Sequence, residues 1–297
     1  MIDYNIMPDF EQRSKIEEKL TEQFPFIKKE LVAKSLCQRP IYAYSIGENQ
    51  NKTLYVGAFH GMEWLTSIVL LKFLEQCCKS IKDRQDMLCF RTYDFLKLGG
   101  LTIIPCINPD GVEIQINGSK TAGKYKCIID NITSDTSRWQ ANARGIDLNH
   151  NFNAGWKQLK SLEIKNRILY PSPTRYGGRS PESEPESSGL MNFCKINNFS
   201  KALAFHSQGR EIYWDFGKST PKDSLMIANI LADSAKYTVS SPEGLAVGGG
   251  FKDRFISLFK KPAFTVEIGL GKNPLPLSDF NKEYERLIPL LCLGIIL

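Results

Sequence analysis

The stretch Thr53-Leu54-Tyr55-Val56-Gly57-Ala58-Phe59-His60-Gly61-Met62-Glu63-Trp64 decides the fold. Its first seven residues are mostly β-branched, aromatic and small apolar types in a short unbroken run, the composition of a buried strand. From Glu63 to Lys79 the apolar residues recur at helical spacing, so the strand runs into a helix. His60 therefore stands at a strand end, with Glu63 one helical turn further on, close enough to share a metal ion with it. The carboxyl ends of strands are where α/β sheets bind their ligands.

The chain has only three histidines, and a second, His206 in Ala-Phe-His-Ser-Gln-Gly, follows the predicted strand Lys201 to Phe205. Two neutral imidazoles and one carboxylate are the protein ligands that leave a catalytic zinc an open position. The residues thus predict one Zn2+ ion held by His60, Glu63 and His206. Glu267 closes a third strand, Ala263-Phe264-Thr265-Val266-Glu267, and is a spare carboxylate beside them. It serves better as a general base than as a fourth ligand, because coordination would remove both its basicity and the open site.

Outward from this core the pattern alternates between strand and helix. Ile41 to Ile46 and Thr53 to Phe59 read as strands joined by a polar turn at Gly47 to Lys52, which predicts a hairpin. Leu101 to Ile107 reads as a buried strand ending in the turn Asn108-Pro109-Asp110-Gly111. Between residues 111 and 185 regular structure thins into the kind of long segment that tends to be functional loop. Helices are predicted from Ser183, over Ser224 to Tyr237, over Phe251 to Phe259 and from Ser278. The expectation is a single α/β domain over residues 1–297, with a central mixed, twisted sheet flanked by helices and residues 1–23 as an N-terminal helical extension.

Composition narrows the function classes. With 42% hydrophobic residues in 297, the chain can bury a full core. No apolar run is long enough to span a bilayer, and Leu287 to Leu297 contains Pro289, so no membrane span is expected. The net charge of +6 arises from 38 Lys and Arg scattered along the chain, which reads as a solvated basic surface and not as a nucleic-acid site. Residues 1–19 carry no leader-like apolar run, and the eight cysteines, Cys89 among them, lie mostly in apolar patterns. Adjacent Cys77 and Cys78 on a helix point about 100° apart and do not suit a disulfide framework, so a reducing, cytoplasmic setting is expected. Oligomeric state leaves no mark on the sequence.

With these residues in place, the chain resembles the zinc carboxypeptidases of the A/T superfamily. The resemblance is carried by His60-x-x-Glu63, Gly145-Ile146-Asp147-Leu148-Asn149, Ser183-Glu184-Pro185-Glu186, His206-Ser207 and Glu267. Within that superfamily it is most similar to the γ-D-glutamyl-meso-diaminopimelate peptidases, through Lys34-Ser35-Leu36-x-x-Arg39-Pro40-Ile41-Tyr42, His206-Ser207-Gln208-Gly209-x-Glu211-Ile212-Tyr213-Trp214, Gly248-Gly249-Gly250-Phe251-Lys252-Asp253 and Asn273-Pro274-Leu275-Pro276. The resemblance implies a peptidase that cuts bacterial cell-wall stem peptides with metal-activated water.

Departures from the digestive pattern sharpen this. Where that pattern grips a C-terminal carboxylate with Asn-Arg, this chain has Asn149-His150, and Met62 replaces an arginine between the first metal ligands. Neither His nor Met offers the planar fork of arginine. The oxyanion donor is left open among Arg138, Gln140 and Arg144. Candidate substrate contacts are Asn149, His150, Ser207, Gln208, Gly209, Tyr213 and Lys252, with Arg210 and Arg254 as further basic residues. The partner expected is a muropeptide or peptide. A general metallocarboxypeptidase would need the missing carboxylate clamp, and an inactive muropeptide-binding protein would lack a ligand or the base.

Overall fold

A computed structural model describes residues 2–47, 52–88 and 90–297. The chain runs through α1 (Phe10–Gln23), β1 (Lys28–Lys34), β2 (Pro40–Ile46), β3 (Thr53–Val56), α2 (Leu65–Asp83), α3 (Thr92–Leu98), β4 (Leu101–Ile104), α4 (Pro109–Asn117), α5 (Lys126–Ile132), α6 (Trp156–Lys165) and α7 (Pro185–Asn197). It continues through β5 (Lys201–Ser207), β6 (Glu211–Tyr213), α8 (Ser224–Ala235), β7 (Thr238–Ser240), α9 (Phe251–Phe259), β8 (Ala263–Ile268) and α10 (Phe280–Ile296). The strands form one mixed sheet in the order β1-β2-β4-β3-β5-β8-β6-β7. Its centre, β4-β3-β5-β8, is parallel, and β2 and β6 flank it antiparallel.

The central strands are buried along nearly their whole length because helices cover both faces. Alternation sorts their side chains. Tyr55, Leu203, Phe205, Phe264 and Val266 enter the core formed with α1, α2, α8 and α10, whereas Leu54, Val56, Ala202, Ala204 and Ala263 pack with α7 and α9. By the same period of two, His206 falls on the α7/α9 face. Glu267 is its register partner on β8, so both carry their side chains to the same side.

The expected β2–β3 hairpin does not form. β4 lies between the two, with Ile103 opposite Tyr44 of β2 and Tyr55 of β3. β4 is buried along its whole length, and an inner position gives both of its edges a hydrogen-bonding partner, which outweighs the closeness of β2 and β3 in sequence. Residues 48–51 of the expected turn, and Cys89, lie outside the described residues.

The expected strand over Leu101 to Ile107 stops at Ile104, and Asn108-Pro109-Asp110-Gly111 opens a helix instead of forming a free turn. The Asn108 side chain accepts a hydrogen bond from the Gly111 amide, and Pro109 occupies the first helical position, where its missing N–H is no loss. The segment from 111 to 185 also contains α5 and α6 and is less irregular than its composition suggests. No helix of the described residues is long and apolar enough to cross a membrane.

Candidate active site

His60 lies just beyond β3, at the carboxyl edge of the sheet, and the helical turn Gly61–Glu63 carries Glu63 back towards it. A side chain on Gly61 would collide with the backbone carbonyls of Gly111 and Trp139, so the close approach of these segments requires glycine here. Asn108 fixes the approach from the other side. Its amide donates to the carbonyls of Phe59, Gln140 and Ala141 at 3.0–3.2 Å. The Gly61 amide in turn donates to the Gln140 carbonyl.

The three predicted ligands converge. Their ligand atoms all lie within 4.8 Å of one another. Glu63 presents one oxygen to His60 Nδ1 at 2.8 Å and the other to His206 Nδ1 at 2.9 Å. The far nitrogen of His60, Nε2, meets Asp147 Oδ1 at 3.1 Å, the carboxylate–histidine arrangement that fixes ring orientation in metal sites. His206 Nε2 has no hydrogen-bond partner among the described residues, and its ring is held by stacking on Phe59 at 5.0 Å. This donor set fits zinc: two imidazole nitrogens and a carboxylate aimed at one point, with a carboxylate behind one of them.

Electrostatics of the cluster follow from burial and close opposite charges. Burial opposes a charge on His60, yet the Glu63 and Asp147 carboxylates outweigh it and raise its pKa well above the ordinary value. A metal ion entering here must displace that proton. Burial also acts against charge on Asp147, but His60, His150 and the Arg175 amide keep it well below the usual carboxylate range. Burial keeps His206 below its ordinary value, in the neutral form a ligand needs. Glu267 is pushed well above the carboxylate range, first by burial and then by the Glu63 charge.

A cavity of about 730 Å³ opens over this cluster. Of the residues expected from the sequence, Arg138, Gln140, Asn149, His150, Ser207, Gln208, Tyr213, Lys252 and Glu267 line it together with His60, Glu63 and His206. The Gln140 carboxamide oxygen accepts from the Thr174 hydroxyl, which leaves its amide nitrogen as the available donor. His150 is held through Nδ1 by Glu163 at 3.2 Å, and Asn149 Oδ1 accepts from the Phe251 amide at 3.0 Å. Lys252 is buried and bonded to Asp253 and to the Asp215 carbonyl.

Arg144 and Gly209 do not line the cavity. Arg144 turns towards the buried carboxylate of Glu184, 3.6 Å away, and Gly209 donates its amide to the Gly269 carbonyl behind the site. Arg210 is paired with Glu283, and Arg254 with Glu182 at 2.7 Å, so neither reaches the cavity. Other motif residues are structural. Glu184 ties Asn142 to the start of α7 at 2.8 Å, and Ser35 and Arg39 clamp Asp110 at 2.8 and 2.6 Å.

The sequence reading gave no site role to Asp147, Asn108, Arg175 or Lys272. Asp147 belongs to a quoted motif, and its place two residues before Asn149 was the available signal. The last two line the cavity from loops with no periodicity to reveal them.

The profile of the zinc carboxypeptidase family matches residues 14–286. The chain belongs to that family. Among its relatives is γ-D-glutamyl-L-diamino acid endopeptidase 1 of Lysinibacillus sphaericus, 33% identical over 94% of this chain and 70% of the relative. Another is the uncharacterised protein YqgT of Bacillus subtilis strain 168, 31% identical over 90% of this chain and 71% of that protein. The fold is shared with bovine thrombin-activatable fibrinolysis inhibitor, solved in complex with tick carboxypeptidase inhibitor. That match has a TM-score of 0.77 at 21% identity and covers 99% of this chain and 97% of the other. As a zinc carboxypeptidase, the chain is a zinc-dependent metallopeptidase with a peptide substrate, and its α/β architecture agrees with the one expected from the sequence.

Proposed function

We propose that this zinc carboxypeptidase hydrolyses the amide bond between γ-D-glutamate and a diamino acid in bacterial cell-wall stem peptides, using one zinc ion held by His60, Glu63 and His206. The carrying observation is the convergence of these ligands and Glu267 on one cavity whose expected arginine clamp is replaced by Met62 and His150. The relative at 33% identity, named for this same bond, supports the substrate assignment.

When bound, zinc supplies Lewis acidity, polarising the scissile carbonyl and making an attacking water nucleophilic at neutral pH. Glu267 accepts the proton of that water as the C–O bond forms and delivers it to the leaving amine as the C–N bond breaks. Its half-buried position on β8 suits a proton carrier, since desolvation favours the protonated form that must exist between the two transfers. Gln140 and Arg138 face the cavity as donors to the developing oxyanion, and Gln140 is pre-oriented by Thr174. Asn149, His150, Ser207, Gln208, Tyr213 and Lys252 supply polar contacts to the peptide.

Incubation of zinc-loaded protein with L-Ala-γ-D-Glu-meso-diaminopimelate and with an α-linked control peptide, followed by mass spectrometry, tests the reading. Free diaminopimelate and the Ala-Glu dipeptide are expected. Cleavage of the α-linked peptide alone overturns it.

A further inference from the structure

Arg175 and Lys272 line the active-site cavity, are exposed, and make no side-chain hydrogen bond or ion pair among the described residues. Both are tied through the backbone to the segment Arg138–Gln140. Arg175 follows Thr174, whose hydroxyl donates to Gln140, and the Gln140 amide donates to the Pro173 carbonyl at 3.0 Å. Lys272 precedes Asn273, whose carbonyl accepts from Arg138 Nη1 at 3.1 Å. Asn273 is itself clamped to Ser207, whose hydroxyl donates to its side-chain oxygen at 2.7 Å. Two unpaired cations thus flank the segment that carries the oxyanion donors.

Arg175 is also fixed against the metal set. Its amide donates to Asp147 Oδ2 at 2.8 Å, and Asp147 Oδ1 meets His60 Nε2. Its φ is +66°, a left-handed backbone that arginine seldom adopts, so this placement is imposed by the surroundings. Glu243 lines the same cavity but is not paired with either cation.

A γ-linked D-glutamate differs from an ordinary peptide residue in one charged feature. Its α-carboxylate is free and lies a short aliphatic spacer from the scissile carbonyl, a charge that an α-linked residue with a neutral side chain does not present there. We propose that Arg175 and Lys272 bind this free α-carboxylate and so select γ-linked glutamate over α-linked residues with neutral side chains. The proposal rests on the γ-D-glutamyl reading above and names the residues that enforce it. Arg175 takes the carboxylate through its fork, and Lys272 adds a second, point-like charge.

The test compares the free-acid tripeptide L-Ala-γ-D-Glu-meso-diaminopimelate with its α-carboxamide analogue in the wild type, Arg175→Asn, Lys272→Ala and the double variant. Asparagine is chosen because it tolerates the left-handed backbone. A charge-assisted hydrogen bond predicts a free-acid preference in kcat/KM of roughly 10- to 100-fold in the wild type, carried by KM, and a collapse towards unity in the double variant. Binding of the uncleaved tripeptide to Glu267→Gln protein, by calorimetry, weakens by a similar factor when Arg175→Asn is added and loses most of its salt dependence. Equal turnover of acid and carboxamide by the wild type, with no response to either substitution, overturns this inference and leaves the γ-D-glutamyl reading standing. Failure of the wild type to cleave either γ-linked peptide overturns both.

Discussion

Asp147→Asn probes how far the metal set depends on what stands behind it. The carboxylate accepts three hydrogen bonds: from His60 at 3.1 Å and the Asn149 amide at 3.1 Å through Oδ1, and from the Arg175 amide at 2.8 Å through Oδ2. A carboxamide keeps one oxygen, so in either orientation its NH2 opposes an N–H donor, and the negative charge that makes His60 a stronger ligand disappears. Loss of such a partner lowers metal affinity by about 10- to 100-fold, or about 1.4 to 2.8 kcal/mol. The apoprotein loses a charged hydrogen bond as well, of order 1.5–3 kcal/mol in folding stability. Zinc competition against a chromophoric chelator measures the first effect, and denaturant unfolding of the metal-free protein the second. Zinc affinity indistinguishable from wild type, in a variant whose apoprotein is measurably destabilised, refutes the claim that Asp147 orients His60.

Glu267→Gln is expected to retain its zinc stoichiometry while losing about 10²- to 10⁴-fold in kcat, and near-wild-type turnover removes Glu267 from the base role. Glu186 is buried, bonded through one oxygen to the Leu36 amide at 3.3 Å, and pushed up to about 8 from 4.5 by burial and by Asp110. A carboxyl raised in the folded state contributes most below its unfolded pKa, and its contribution falls as pH rises through about 8. Glu186→Gln should therefore be more stable than wild type at pH 8, by up to about 3 to 5 kcal/mol, with the gap closing near pH 4.5 in chemical unfolding. A gap independent of pH refutes the assignment.

The convergence of the two histidines and Glu267 on one cavity was legible because these three stand at the ends of apolar runs, where pattern and chemistry coincide: Phe59 before His60, Phe205 before His206, Val266 before Glu267. The β2–β3 hairpin was misread because sequence proximity says nothing of a third strand, and β4 arrives only after the α2 crossover. Asn108-Pro109-Asp110-Gly111 was read as a turn because helix starts use the same residues, and only the following contacts decide between them. Arg144 and Gly209 were expected at the cavity and lie outside it, since their neighbours Glu184 and Gly269 are distant in sequence. Arg175 and Lys272 left no signal for the complementary reason: loop position is fixed by tertiary bonds that no local pattern encodes.

The parallel centre of the sheet also bears on how the protein acquires its activity. Glu63 and His206 are 143 positions apart in the chain, and both depend on strands that pair only through crossovers. Such non-local pairing closes late and slowly, because loop entropy must be lost before contacts repay it. A one-residue slip of β5 against β8 would turn His206 and Glu267 to opposite sides and abolish the coordination point. An ion that recognises both histidines is therefore blind to partly folded chains and adds its binding energy to the finished register alone. On the proposed ligand set, zinc binding would add its energy to the finished register and so favour correct sheet assembly.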